Sequence, residues 1–167
     1  MTEKTLVLTS EMQTANLAQQ LAEQIGQLFG KDPLASLRIS LIGDLGAGKT
    51  TFTRYLLQSL GHSGKVKSPT YALCEPYVLN IAGKTALAIH HFDLYRMNYP
   101  EEWIDAGFRE TLSNPGVCIV EWAEKAGSTL PAFDLSIELS TNDDESRMAK
   151  LMSHSLNGQT ILEDAFQ

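Results

Sequence analysis

LRISLIGDLGAGKTTFTRYLLQSL, residues Leu37 to Leu60, decides the fold of this 167-residue chain. Leu37 to Ile42 is an apolar run of strand length. Gly43-Asp44-Leu45-Gly46-Ala47-Gly48-Lys49-Thr50 then fits G-x-x-x-x-G-K-[ST], and Phe52, Leu56 and Leu60 follow at helical spacing until Gly61 can end the helix. The reading is strand, glycine-rich loop, helix. Glycines let the backbone curl until successive N–H groups point at one centre, where a helix N-terminus adds partial positive charge. Such a centre suits a di- or triphosphate. Leu45, Gly46, Ala47 and Gly48 would supply amides, Lys49 would reach the β- and γ-phosphates, and the Thr50 hydroxyl would ligate Mg²⁺ with Thr51 in support. The plainer alternative is a turn that merely joins a strand to a helix, and the correct flanks on both sides argue against it.

Working outward, Thr5 to Leu8 alternates like a short strand, and Ser10 with Gln13 resembles a capping box opening a helix. Leu17, Leu21, Ile25 and Leu28 form its apolar face, which ends near Gly30. Downstream of the loop, Tyr71 to Leu79 and Thr85 to Phe92 read as an antiparallel hairpin, Pro100 to Trp103 as a helix start, and Val117 to Val120 as a buried strand. Leu135 to Leu139 and Met148 to Met152 suggest a late hairpin, and Ile161 to Phe166 a short terminal helix. The order predicts an α/β fold: a mainly parallel sheet with antiparallel hairpin additions and helices on both faces. At this length, and 43% hydrophobic, residues 1–167 read as a single domain.

A phosphate loop needs an acid opposite Thr50 to hold Mg²⁺, usually at the end of an apolar strand. Glu121 directly follows four apolar residues, whereas Asp93 follows Ala86 to Ile89 only after His90-His91-Phe92. Glu121 is therefore favoured for the metal. Asp93 is left to position or deprotonate the attacking water, although either acid can simply be an exposed carboxylate near a strand end. Thr70, in the loop Lys65 to Tyr71, can sense the γ-phosphate or the metal, or else bond its own turn. Arg54, Arg96 and Arg109 are candidates for transition-state charge, or solvated surface arginines. His90 and His91 point to opposite faces of a strand and read as packing or capping residues.

Composition narrows the function. A net charge of −7, from 20 acidic against 13 basic residues, argues against a broad basic surface that holds nucleic acid by phosphate neutralisation, so no direct nucleic-acid binding is expected. Cys74 and Cys118 lack metal-ligand spacing and read as buried free thiols, which suits a reducing cytosol. No apolar run approaches membrane-spanning length, so the expectation is a soluble, cytoplasmic protein. The absence of an Asn-Lys-x-Asp pattern after the loop favours ATP over GTP. A small-molecule P-loop kinase is the alternative to an ATPase, but no cluster of arginines marks a lid over the phosphates. A nucleotide-dependent binding module without turnover is a third reading.

Four ordered motifs resemble those of the bacterial TsaE family: GDLGAGKTTFTR at Gly43 to Arg54, VKSPTY at Val66 to Tyr71, HFDLYR at His91 to Arg96, and IVEW at Ile119 to Trp122. Leu130-Pro131 and Arg147 follow at similar places, and Glu102-Trp103-Ile104 departs from the family pattern. The resemblance implies a P-loop NTPase fold, ATP and Mg²⁺ as cofactors, and TsaB and TsaD as partners. It further implies a part in making threonylcarbamoyladenosine in tRNA beside the anticodon. TsaD would carry out the transfer, while this chain hydrolyses ATP at the TsaB–TsaD interface to support repeated turnover. By motif, Leu45 to Thr50 would bind phosphate, Thr50 and Glu121 would hold Mg²⁺, and Thr70 and Asp93 would belong to the hydrolytic centre with Lys49. Thr9 and Glu11 would lie near the adenine.

Overall fold

The computed structural model describes residues 1–69, 71–81 and 85–167. In chain order the elements are β1 (Glu3–Leu8), α1 (Glu11–Lys31), β2 (Ser36–Ile42), α2 (Lys49–Ser59), β3 (Cys74–Ile81) and β4 (Thr85–Asp93). After these come α3 (Glu102–Asp105), β5 (Gly116–Glu121), a 3-10 helix at Ala123–Ala126, β6 (Leu135–Thr141), β7 (Arg147–Ser153) and α4 (Leu156–Ala165). Among the described residues no helix is long and apolar enough to cross a membrane.

Local chemistry explains most of the boundaries. Ser10 caps α1 by accepting from the Gln13 amide at 3.3 Å, and the Gln13 side chain accepts from the Thr9 amide at 2.7 Å, so two otherwise orphan donors are satisfied. The helix buries Leu17, Leu21, Ile25 and Phe29. Phe29 takes the buried place expected of Leu28, which is only half-buried. β3 begins at Cys74, three residues later than Tyr71 suggests, and Tyr71 is 96% exposed. Its Pro76 is tolerated because β3 lies at the edge of the sheet. The helix start at Pro100 to Trp103 yields a single turn, α3, held by Trp103, whose indole N–H donates to Thr129 Oγ1 at 2.7 Å. α4 starts five residues earlier than Ile161 because Ser155 caps it, accepting from the Gly158 amide at 3.1 Å.

The strands form one seven-stranded sheet in the order β1-β7-β6-β2-β5-β4-β3. Its centre is parallel, with β6, β2, β5 and β4 running together. The hairpins β3–β4 and β6–β7, and the pairing of β1 on β7, are antiparallel. Side chains alternate between faces along each strand. On one face Leu37, Ile39 and Leu41 of β2, Val117 and Ile119 of β5, and Ile89 of β4 pack in a single core with α1, α2 and α4. On the other, Phe92, Cys118 and Val120 pack with Leu94, Met97, Trp103, Leu112 and Ala126. Helices thus cover both faces unequally: three long ones on the first, α3 and the 3-10 helix on the second. All six residues of β5 are buried, as its continuous apolar run predicts for a strand covered on both sides.

Parallel central strands have one consequence for the site. β2, β4 and β5 end on the same edge of the sheet, where α/β sheets gather ligands. There Asp93, the last residue of β4, pairs in register with Glu121, the last residue of β5.

Candidate functional site

Beyond Ile42 the chain leaves the sheet and turns back. Gly46 and Gly48 adopt φ of +82° and +103°, a region that side-chain-bearing residues rarely visit, and the Ala47 amide closes the turn on the Asp44 carbonyl at 3.0 Å. α2 then opens at Lys49 with Gly48 as its cap and no side chain bonding its first amides. Those amides and the helix dipole are left to an anion. Lys49 is only 6% exposed. Its ammonium donates to the Gly43 carbonyl and lies 4.3 Å from the centre of the Trp122 ring, a cation–π contact. Trp122 reaches it from a left-handed backbone position directly after β5, φ +58°. Thr50 Oγ1 lies 2.8 Å from Ser68 Oγ, which ties the start of α2 to the loop that follows it.

The two acids stand side by side but in different surroundings. Glu121 is 2% exposed, and its Oε2 accepts from Nε2 of the fully buried His91 at 2.5 Å. Asp93 is half-buried, and its Oδ1 accepts from the Tyr95 amide at 3.0 Å. Burial holds the Asp93 carboxyl above the usual carboxylate range, the Tyr95 amide opposes the shift, and the neighbouring Glu121 charge adds to it. The opposing influence of Lys49 on the same carboxyl puts the loop lysine and both acids within one electrostatic neighbourhood. Thr70 lies outside the described residues.

Thr9 and Glu11, far from the loop in sequence, meet it in space. A cavity of about 260 Å³ is lined by Thr9, Glu11, Gly48, Thr51, Glu145 and Arg147, among others. Arg147 donates to the Gly46 carbonyl at 2.7 Å and to Thr141 Oγ1 at 2.8 Å, clamping the phosphate loop to the late hairpin. Arg54 pairs with Glu11 at 3.3 Å on the surface. Arg96 lines a separate cavity of about 210 Å³ that also contains Asp93. A third cavity, about 570 Å³, lies between Leu45 at the tip of the loop, Trp122 to Lys125, and the end of β6.

The structure therefore sets Asp93 beside Glu121 at one sheet edge and Lys49 against Trp122, the residue after Glu121, with Thr9, Glu11 and Thr51 around a cavity that reaches Gly48; Thr50 is placed by its bond to Ser68 alone. Sequence reasoning did not foresee the His91–Glu121 pair, the Trp122 contact with Lys49, or the Ser68 contact with Thr50. One signal was available: His91 and Asp93 are two apart in a strand and must share a face. The donors the motif offers are the Thr50 hydroxyl, bonded here to Ser68 Oγ, and the carboxylates of Asp93 and Glu121, which pair with each other in register; among the described residues no group of three or more His, Cys, Asp or Glu is placed to hold a metal by itself. That set suits Mg²⁺, which keeps several waters and takes its remaining oxygens from phosphates.

The family model described as threonylcarbamoyl adenosine biosynthesis protein TsaE matches residues 8–149. The chain is 45% identical over 127 residues to the tRNA threonylcarbamoyladenosine biosynthesis protein TsaE of Haemophilus influenzae, covering 76% of this chain and 77% of that one. It is 32% identical over 158 residues to the protein of that name from Rickettsia felis, covering 93% and 84%. Among solved structures, the crystal structure of Bacillus subtilis YdiB superposes with a TM-score of 0.75 at 25% identity, covering 99% of this chain and 95% of the other.

Proposed function

The chain belongs to the TsaE family, and from that premise we propose that it is a Mg²⁺-dependent ATPase of tRNA threonylcarbamoyladenosine biosynthesis, acting in the cytoplasm with TsaB and TsaD. The observation that carries the hydrolytic reading is the parallel pairing of β4 with β5, which sets Asp93 beside Glu121 at the strand edge from which the Lys49 loop springs.

In this reading the loop from Leu45 to Thr50 binds the phosphates through its amides, and Lys49 exchanges its Gly43 carbonyl for β- and γ-phosphate oxygens. Thr50 and Glu121 would hold Mg²⁺, which would supply positive charge against the negative charge developing on the phosphate. Asp93 orients the attacking water and takes its proton; burial makes it a stronger base than an ordinary aspartate. Thr70 is assigned to the same centre on its motif alone. The cavity of Thr9, Glu11 and Arg147 takes the adenine side of the nucleotide, with Thr51 between it and the phosphates.

Two arginines near the loop are already engaged, Arg54 with Glu11 and Arg147 with Gly46 and Thr141. The charge that completes the transition state would then come from a partner, with Arg96 in the Asp93 cavity as the internal alternative; such a group supplied in trans raises turnover by roughly a thousandfold or more in other hydrolases. Family membership is what suggests the two proteins as partners, and the excess of acidic residues argues that tRNA is not bound directly. The test is phosphate release from ATP by the pure chain, with and without TsaB and TsaD, and with no phosphate acceptor present. Slow release alone and a large increase with both partners is expected. An unchanged rate refutes the partner-dependent reading, and release that requires a small-molecule acceptor points to a kinase.

A further inference from the structure

His91 sits two residues before Asp93 in β4, in register with Ile119 of β5, while the next pairing on that face sets Asp93 against Glu121. The imidazole is 0% exposed and the carboxylate beside it 2%. A carboxylate so deeply buried needs a partner, and among the described residues its side-chain hydrogen bond is to His91 alone, through Oε2 at 2.5 Å. An ionised carboxylate only accepts, so Nε2 carries the proton and donates it. Nδ1 is buried with no hydrogen-bond partner. A ring that merely filled core space would not need a polar edge here. The neighbouring positions on the same face, Ile89 of β4 and Ile119 of β5, fill it with aliphatic side chains.

We propose that His91 is a positioning residue for Glu121: by holding Oε2 it fixes the carboxylate plane and leaves Oε1 as the oxygen offered to a cation shared with Thr50. The inference rests on the reading of Glu121 as the metal acid. Groups that orient a metal-binding side chain in this way typically contribute 10- to 100-fold to metal affinity. The identity of the bonded nitrogen sets a specific requirement. Glutamine places its amide N–H near the position of Nε2 and can still reach Glu121, whereas asparagine places it near Nδ1 and cannot.

The test uses the full chain with ADP and Mn²⁺, following metal binding by electron paramagnetic resonance and folding by thermal melting. His91→Asn should weaken Mn²⁺ binding about tenfold or more, while ADP binding without metal is unchanged; His91→Gln should stay within about threefold of the unsubstituted protein. Glu121→Ala is the reference. If Glu121→Ala weakens Mn²⁺ binding and His91→Asn does not, the role of His91 is overturned while the metal reading stands. If neither does, the metal reading falls first and this inference with it. Loss of binding in His91→Gln as severe as in His91→Asn also overturns it. Should His91→Asn fail to fold, nitrogen-15 NMR of the unsubstituted protein decides: a proton on Nε2 of His91 whose resonance shifts on adding Mg²⁺ with ADP is expected, and an Nε2 that carries no proton refutes the proposal.

Discussion

Gly43→Ala is the sharpest test of how the phosphate loop is mounted. A Cβ at this position would lie 2.6 Å from the Leu139 carbonyl oxygen and 3.1 Å from Ala47 Cβ. The near limit of C···O contact is about 3.3 Å, so loop and strand must part by about 0.7 Å. The obstacle is backbone, and it cannot swing aside. Leu139 is 2% exposed and belongs to a β6 paired on one side with β2 and on the other with β7. Forcing a methyl into so tight a contact costs about 1–3 kcal/mol, which for a chain of this size lowers the melting temperature by roughly 2–12 °C. Function should suffer more than stability. The Gly43 carbonyl is the resting partner of Lys49 Nζ, and a misplacement of roughly 1 Å in a reacting geometry costs on the order of a hundredfold. ATP affinity and turnover together should therefore fall about ten- to a hundredfold. Scanning fluorimetry and titration with a fluorescent ATP analogue measure both, with Gly30→Ala as the control. Gly30 lies in α1 with nothing within 4 Å of an added methyl, and its replacement should stabilise by about 0.5–1 kcal/mol. A Gly43→Ala protein with unaltered melting and unaltered nucleotide affinity would refute the argument that β6 buttresses the loop.

Lys49→Ala should abolish ATP hydrolysis, because the lysine is the cation buried at the loop; near-normal phosphate release would sink the P-loop chemistry. Glu121→Ala should mainly weaken Mg²⁺-dependent nucleotide binding, whereas Asp93→Ala should keep binding and slow single-turnover hydrolysis by roughly 10²–10⁴-fold; the opposite pattern exchanges their roles. Burial pushes the Cys74 and Cys118 thiols up from the ordinary 9.0 to about 12. Both should resist iodoacetamide at pH 8 until the chain is unfolded, as read by mass spectrometry. Because their folded pKa is the higher one, the stability they contribute is present below pH 9 and is lost as pH rises toward 12. Trp103→Ala removes a 3%-exposed indole and its bond to Thr129, and should cost about 3–5 kcal/mol in denaturant unfolding; a loss below about 1 kcal/mol would show that the second face needs no such anchor.

Local signals made the strand, loop and helix around Lys49 legible, and with them the strand at Val117 to Val120 and both hairpins. Each of these is written within a window of about twenty residues, as a periodicity, a glycine that permits a positive φ, or a continuous apolar run. The same holds for the start of α1, where Ser10 and Gln13 satisfy each other's surroundings within one turn. Weak windows misplaced the ends. The single turn at Trp103 depends on what that residue packs against, whereas the start of α4 at Leu156 is set by the Ser155 cap, a local signal that the apolar spacing from Ile161 onward does not mark.

The sequence by itself determined that an anion-binding loop exists and which residue types could serve it. Only the tertiary structure decided which of those residues are neighbours. Asp93 and Glu121 come together because β4 and β5 pair in parallel, a choice made by burying β5 on both faces and encoded in neither strand alone. Thr9 meets Arg147 near the loop because β1 adds to β7 at the end of the sheet, where Leu8 pairs with Arg147. His91 and Glu121 show the limit most clearly: charged and polar residues are exposed by default in any reading of a sequence, and only a packed structure reveals that these two are buried as each other's partner.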